Sequence, residues 1–314
     1  MANVWSVGGN LTTGKYQAAG CGTQTAGLSM GGKGSANYID VTEEYNGSSW
    51  AAGGNLLVGR QGLTGCGTQT AGLCMLGENA TYTPSLLTTS EEYNGTSWSA
   101  GGNFTAYTGR TYAASAGTQT AAITMGGYNG SSRITTTTEY DGTSWTSGGA
   151  MGTGKEKLAG AGTQTAGLCI GGMTASTTPT NVTEEYDGTS WSSGGNLITA
   201  IGVNAGAGTQ TAGLCFGGYV NSGQTISVIT QEYDGTSWSS GGNLITAKSY
   251  LSGCGTQTTA LSMGGWDGAY SSSTEEYNLF LGPIYIKKIS SVSTTYVKKA
   301  LFTFADIKKI LGVA

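Results

Sequence analysis

Apolar positions in the first 278 residues fall in short runs broken by glycine, threonine and serine, never at a 3.6-residue spacing. This pattern predicts strands and no helix before residue 279. The stretch from Lys155 to Leu197 shows the unit. Lys155–Ala161 is small and partly alternating and reads as a strand, a. Gly162-Thr-Gln-Thr165 is a turn. Ala166-Gly-Leu-Cys-Ile170 is a compact apolar strand, b, ending at Gly171-Gly172. A polar loop precedes Val182-Thr-Glu-Glu-Tyr186, strand c, where β-branched and aromatic residues alternate with polar ones. Asp187-Gly188 predicts a tight hairpin, because both residue types tolerate positive φ. Trp191 then anchors a short strand d.

The unit recurs. Gly-Thr-Gln-Thr begins at residues 22, 67, 117, 162, 208 and 255, so successive copies lie 45, 50, 45, 46 and 47 residues apart. The glycine doublet follows strand b in every copy, with Leu76-Gly77 as the variant. Tyr45, Tyr93, Tyr140, Tyr186 and Tyr233 each precede a tryptophan by five residues. A repeat of this length built of four strands is one blade of a β-propeller. A glycine doublet after an apolar strand, then Tyr, then Trp, resembles the kelch repeat across residues 1–278, with a shorter Tyr-to-Trp interval than kelch repeats usually have. Near-identical arrays of this kind also resemble repeats in virion proteins of marine phages.

The sixth copy stops at Thr274-Glu-Glu-Tyr277-Asn278, without the Trp that should follow. Val4-Trp5-Ser-Val-Gly8-Gly9-Asn10-Leu11 matches a d strand and its exit. The expected fold is therefore an all-β, six-bladed propeller of four-stranded antiparallel blades. Residues 1–11 complete the last blade and close the ring, removing an exposed sheet edge. Residues 1–278 form the propeller, and 279–314 a C-terminal extension.

Composition narrows the chemistry. There is no histidine, which removes the commonest general base and metal ligand; no metal or cofactor is expected. Net charge is −4, and no basic run precedes residue 279, so nucleic acid is not an expected partner. No apolar run is long enough for a membrane span. Met1-Ala-Asn-Val-Trp5 lacks the basic and apolar regions of a signal peptide. Cys21, Cys66 and Cys254 occupy a repeat position held elsewhere by alanine, and Cys74, Cys169 and Cys215 one held by Ser or Thr. The six cysteines therefore read as buried free thiols.

The b–c connections share a face with the d–a connections. They also vary most, with 13, 16, 13, 14, 15 and 12 residues from the second glycine to Tyr. Variable loops on a rigid scaffold are where recognition concentrates. Their aromatics, Tyr38, Tyr82, Tyr128, Tyr219, Trp266 and Tyr270, are candidate ligand contacts. Seven residues before each Gly-Thr-Gln-Thr stand Lys15, Arg60, Arg110, Lys155, Ile201 and Lys248. The five bases are expected to ring one channel mouth and attract an anion such as an acidic glycan. Glu44, Glu92, Glu139, Glu185, Glu232 and Glu276, each before the strand-c Tyr, belong near the opposite end and are expected to bond at the c–d corner.

Catalytic readings are thin. Gly9–Lys15 and Gly149–Lys155 approach a phosphate loop but lack the following Ser/Thr and the helix. Asp-Gly-Thr-Ser-Trp resembles a sialidase Asp-box, yet Arg60, Arg110 and Arg133 are the only arginines, with no acid or tyrosine evidently beside them. Adjacent glutamates point to opposite faces of a strand. No catalytic residue is assigned. The extension differs in character, carrying six of the eleven lysines. Ile284 and Ile286 lie in an extended stretch, and Leu301, Phe304, Ile307 and Leu311 follow amphipathic helical spacing. These six are expected to dock on other subunits. The expected function is non-enzymatic binding on a larger assembly, a phage virion, through contact with a host receptor or glycan. The expected location is the virion, or otherwise a cell surface or the extracellular space. The alternatives are a structural decoration protein and a sialidase-like hydrolase.

Overall fold

Each Gly-Thr-Gln-Thr stretch folds as the a–b turn of a four-stranded antiparallel sheet. Six such sheets surround one axis in a computed structural model that describes residues 3–279 apart from 36 and 105–108. The propeller lies in the unit Met1–Phe280; the second unit, Leu281–Ala314, lies outside the described residues. Ile284, Ile286, Leu301, Phe304, Ile307 and Leu311 fall there, as does the proposed amphipathic helix. Among the described residues there is no helix.

Blade III illustrates the element order. Its strands are Ala114–Gly117, Ala122–Met125, Thr137–Tyr140 and Trp145–Ser147, paired in sequence order from the axis outward. Strand b is wholly buried, which is why it is apolar apart from Thr124, whose hydroxyl is paired with Arg110 and Thr138. Strand d buries only its tryptophan and exposes the residues after it. Gly117 adopts φ 106°, and a Cβ there would lie 2.2 Å from the Ala121 carbonyl oxygen, so the turn requires glycine. The c–d corner differs from the two-residue hairpin expected. Tyr140 pairs with Trp145, leaving a four-residue turn in which Gly142 alone has positive φ. Asp141 Oδ1 accepts from the amides of Thr143 and Ser144, both at 2.8 Å, and this holds the longer turn closed. Strand a is also shorter than expected. In blade IV it spans Ala159–Gly162, because Lys157 at φ 54° breaks the extended backbone.

The last blade is completed from the other end of the chain. Asn3–Val7 pairs antiparallel with Thr274–Leu279, with Trp5 opposite Tyr277. The ring is thus closed by the N-terminal strand.

Every blade grips its predecessor with the same three side chains. At the III–IV interface, Gln164 Nε2 donates to the carbonyls of Ala122 at 3.1 Å and Tyr140 at 2.7 Å. The Tyr186 hydroxyl donates to Glu139, and Trp191 Nε1 to Thr137 Oγ1 at 2.9 Å. The closing VI–I interface repeats the set through Gln24, Tyr45 and Trp50. The glutamates assigned to the c–d corner therefore act across blades: Glu44, Glu92, Glu139, Glu185, Glu232 and Glu276 each accept the next blade's tyrosine hydroxyl. The apolar clusters straddle the same interfaces, strand b of one blade packing on the Tyr and Trp of the next. All six cysteines are buried and free. Burial pushes the Cys66, Cys74, Cys215 and Cys254 thiols up to about 12.

Candidate functional site at the channel mouth

The five bases expected to ring the mouth do not face solvent. Lys15, Arg60, Lys155 and Lys248 are 0–1% exposed, and Arg110 2%. Each long side chain instead reaches strand c of the blade that its connector enters, where a carboxylate or hydroxyl meets it. Lys15 Nζ lies 3.4 Å from Glu43, Lys155 3.0 Å from Glu184 and Lys248 3.2 Å from Glu275; Arg60 is bonded to Glu91. These are the first glutamates of each strand-c pair, not the second. In blade III the acid position is Thr138, and Arg110 bonds the Thr124 and Thr138 hydroxyls and the Thr136 carbonyl. Where the base is Ile201, the acid is Gln231, whose amide closes two bonds onto the Thr199 backbone. The expectation of an anion-attracting ring is thereby corrected: these side chains staple each d–a connector to the blade it enters. The three arginines also serve separate places. Arg60 and Arg110 are buried in blades II and III, and only Arg133 is partly exposed.

The mouth itself is built two residues further on, by Gln17, Gly62, Tyr112, Lys157, Val203 and Tyr250. All six have left-handed backbones, with φ between 51° and 62°. Their peptides form a closed hoop. The amides of Gly62, Tyr112, Lys157, Val203, Tyr250 and Gln17 donate in turn to the carbonyls of Gln17, Gly62, Tyr112, Lys157, Val203 and Tyr250, at 2.7–3.1 Å. Strained φ at five non-glycine residues persists only where the surroundings over-determine it, and a ring of six hydrogen bonds does so here. Below the hoop, the six a strands enclose a channel of about 140 Å³, lined mainly by Ala, Gly, Ser and Thr.

Side chains of the hoop close over the axis. Tyr112 and Tyr250 come from opposite blades, III and VI, yet their ring centroids are 6.3 Å apart. Lys157 Nζ sits over both rings, 5.1 Å and 5.7 Å from their centroids. Gln17 Nε2 donates to the Tyr112 hydroxyl at 3.0 Å. Gly62 leaves room for this plug, since a Cβ there would approach Tyr112 Cε1 to 3.0 Å. Burial pushes the Tyr112 and Tyr250 phenols up, helped by Glu78 and by Tyr219 respectively. Burial lowers Lys157, against the attraction of Glu156.

An aromatic crescent rises from the plug on one side. Tyr16 packs on Tyr250, Trp266 and Tyr270 at 5.5–5.7 Å; Trp266 meets Tyr270 at 5.7 Å, and Tyr219 meets Tyr250 at 5.9 Å. Of the loop aromatics singled out in the sequence, Tyr219, Trp266 and Tyr270 converge here. Trp266 is half-buried and Tyr270 is 39% exposed. Tyr219 and Trp266 are equivalent by repeat, each bridging the residue before the hoop position, and Tyr128 is the third of that set. Tyr128 stands on its own side under Arg133, 5.8 Å above its ring. Tyr38 and Tyr82 line a separate depression between the b–c loops of blades I and II, with Asn37, Asp40 and Asn79. The remaining sector of the mouth is charged but balanced: Glu156 takes Arg133 at 2.8 Å and Lys157 at 3.9 Å, while Glu78 accepts from Gln61 Nε2.

Sequence reading missed Tyr16, Gln17, Tyr112, Lys157 and Tyr250. They precede strand a, where apolar patterning is weak. Their signal was variability: in the internal alignment, the position two after the basic residue takes Gln, Gly, Tyr, Lys, Val and Tyr. Among the described residues, no group of three or more Cys, Asp or Glu converges as a metal site would require.

Fold and site together define a six-bladed β-propeller with a plugged, aromatic-rimmed mouth on the b–c face. No family model and no curated protein matches the chain. Among solved structures it is similar to that titled "Structure of YjhT", with a TM-score of 0.71 and 14% identity over 87% of this chain and 96% of that one. At that identity the likeness concerns the fold alone.

Proposed function

We propose that the protein is a non-enzymatic binding propeller of kelch-like type. It presents its b–c face to a receptor or glycan on a host surface, and residues 279–314 attach it to a larger assembly such as a phage particle. One observation carries this reading. The hoop gives six positions a common backbone, and the chain places five different residue types on them. On the opposite face the a–b turn is Gly-Thr-Gln-Thr six times. A purely structural ring has no use for diversity at one mouth and uniformity at the other, whereas recognition does.

The test is adhesion of the labelled full-length protein to a panel of intact bacterial cells. Tyr270→Asp should abolish adhesion to the cells that the unaltered protein binds, and Asp187→Asn on the c–d face should leave it unchanged. Equal sensitivity of both faces would overturn the assignment of the face. Absence of adhesion to every cell type would favour a decoration protein.

A further inference from the structure

The aromatic crescent and the plug it rises from, together termed the bowl, show a polarity specific enough to name a ligand class. Six of the seven tryptophans stand in strand d, and each gives its Nε1 proton to a hydroxyl or carbonyl of the preceding blade. Trp266 is the seventh. It is half-buried, and no protein acceptor meets its Nε1 among the described residues. The hydroxyls of Tyr16, Tyr250 and Tyr270 likewise carry no hydrogen bond there. The crescent thus offers partly covered ring faces together with free donors at their edges. Amphipathic rings of this kind serve ligands that are apolar on one side and wet on the other. A small-molecule site is an aromatic concavity with a few placed polar groups.

Two further observations select among ligands. Arg133 and Lys157 share Glu156, Glu78 acts on Lys157 as a second carboxylate, and Lys33, bridged to Tyr16 through the backbone, is the one further cation there, with no salt bridge among the described residues. The bowl therefore has little charge to hold an anion. Among the described residues, the large exposed aliphatic side chains, Val4, Val7, Leu57, Ile198, Ile245 and Leu279, lie on the connectors and on the outer two strands of the blades rather than in the bowl. The crescent shares its Trp and Tyr with protein hot spots, which sit in fully desolvated, well-packed pockets; its half-exposed rings with unpaired edge donors instead suit a hydroxylated ligand. Resting on the binding role proposed above, we infer that the bowl takes a neutral pyranose at the exposed end of a glycan. The sugar's C–H face lies on Trp266 and Tyr270, and its hydroxyls meet Trp266 Nε1, the free tyrosine hydroxyls and Glu78. The plug below, Tyr112 with Lys157 and Gln17, forms the floor and limits the site to a terminal residue.

The test titrates the full-length protein with methyl glycosides of neutral hexoses and N-acetylhexosamines, and with methyl glucuronide as the acidic arm. Calorimetry and tryptophan fluorescence report binding. At least one neutral glycoside should bind at millimolar strength, with little change between about 0.05 and 0.5 M salt, as expected for an uncharged ligand. Trp266→Phe should remove the fluorescence response, and Tyr270→Ala should weaken calorimetric binding about tenfold or more. Glu78→Gln, which keeps the fold's amide-compatible geometry, should shift preference among epimers. Preferential, salt-sensitive binding of the glucuronide overturns the inference, as does binding that survives Trp266→Phe and Tyr270→Ala intact. If cells are bound through the b–c face but no glycoside is, the binding role stands and the pyranose falls. A protein ligand, captured in competition with Tyr270→Ala, would have the same consequence.

Discussion

The buried pair Lys15–Glu43 can be exchanged for the solution that the chain itself uses in blade V. Both side chains are 0% exposed and 3.4 Å apart, and Glu43 also accepts from Thr12 N, Thr12 Oγ1 and Thr13 N. At the equivalent place, Ile201 is fully buried beside Gln231, whose amide bonds the Thr199 backbone twice. Removing one member of a buried ion pair costs roughly 3–5 kcal/mol, because the other charge is left uncompensated. Lys15→Ile should fall at the lower end, since three donors still hold the Glu43 carboxylate. Glu43→Gln should fall at the upper end, because the ammonium then faces only its desolvation. The double variant should lie within about 1 kcal/mol of the unaltered protein or above it, giving a coupling of several kcal/mol in a denaturation cycle. A second readout is pH. Burial lowers Lys15 to about 8 despite Glu43. Between that value and the ordinary 10.5, the unfolded chain holds the extra proton, so stability rises with pH, by up to about 3 kcal/mol for this group. The double variant should lose that increment relative to the unaltered protein. Additive single-variant costs, or identical pH profiles, would refute the staple argument.

Trp5→Ala should cost about 3–5 kcal/mol, since Trp5 is 6% exposed, packs on Phe216 and Tyr277 and bonds Thr230; an unchanged melting temperature would contradict closure by the N-terminal strand. Gln164→Ala orphans two carbonyls and should cost roughly 1–3 kcal/mol by chemical denaturation, whereas Thr163→Ser, in the same turn, should cost far less. Alkali should unfold the ring. Burial, then the accepting glutamate, raises Tyr93, Tyr140, Tyr186 and Tyr233 to about 12. The folded state thus holds protons that the unfolded state sheds near 10, and stability falls as pH rises from 10 through 12. Tyrosinate absorbance and circular dichroism should change together in that window; ionisation of these tyrosines near pH 10 in a folded ring would disprove the coupling.

The repeat made the fold legible. Gly-Thr-Gln-Thr, the glycine doublet and the Tyr–Trp interval each mark one turn or strand, and the permuted Trp5 gave the closure. What sequence could not supply was direction in space. A lysine seven residues before a turn reads as a charge near a mouth; only packing shows that its side chain turns into the next blade. The partner was also ambiguous, because Glu43 and Glu44 are adjacent and face opposite sides of the strand: one takes Lys15, the other the Tyr93 hydroxyl. The covariation of Ile201 with Gln231 carried that information in the sequence, as a neutral pair replacing a charged one. The mouth was half legible. Trp266 and Tyr270 stood out as loop aromatics, but Tyr112 and Tyr250 meet across the axis from residues 138 positions apart, a contact no local pattern encodes.

The hoop explains how such a mouth can vary without unfolding the ring. A left-handed backbone ordinarily restricts a position to glycine, asparagine or aspartate, yet here it carries Gln, Tyr, Lys and Val. The conformation is set by peptide groups: each amide has its acceptor in the preceding blade, and none of the six bonds involves a side chain. Substitution at these positions therefore changes the surface of the mouth while leaving untouched the bonds that fix it. The strain of each non-glycine residue, on the order of 1 kcal/mol or more, is offset by inter-blade staples that lie elsewhere, in the Gln–carbonyl, Tyr–Glu and Trp–Thr links. Stability and surface variation are thus separated in the chain: residues common to the repeats hold the blades together, and residues that differ between blades are gathered where six backbones meet at the axis.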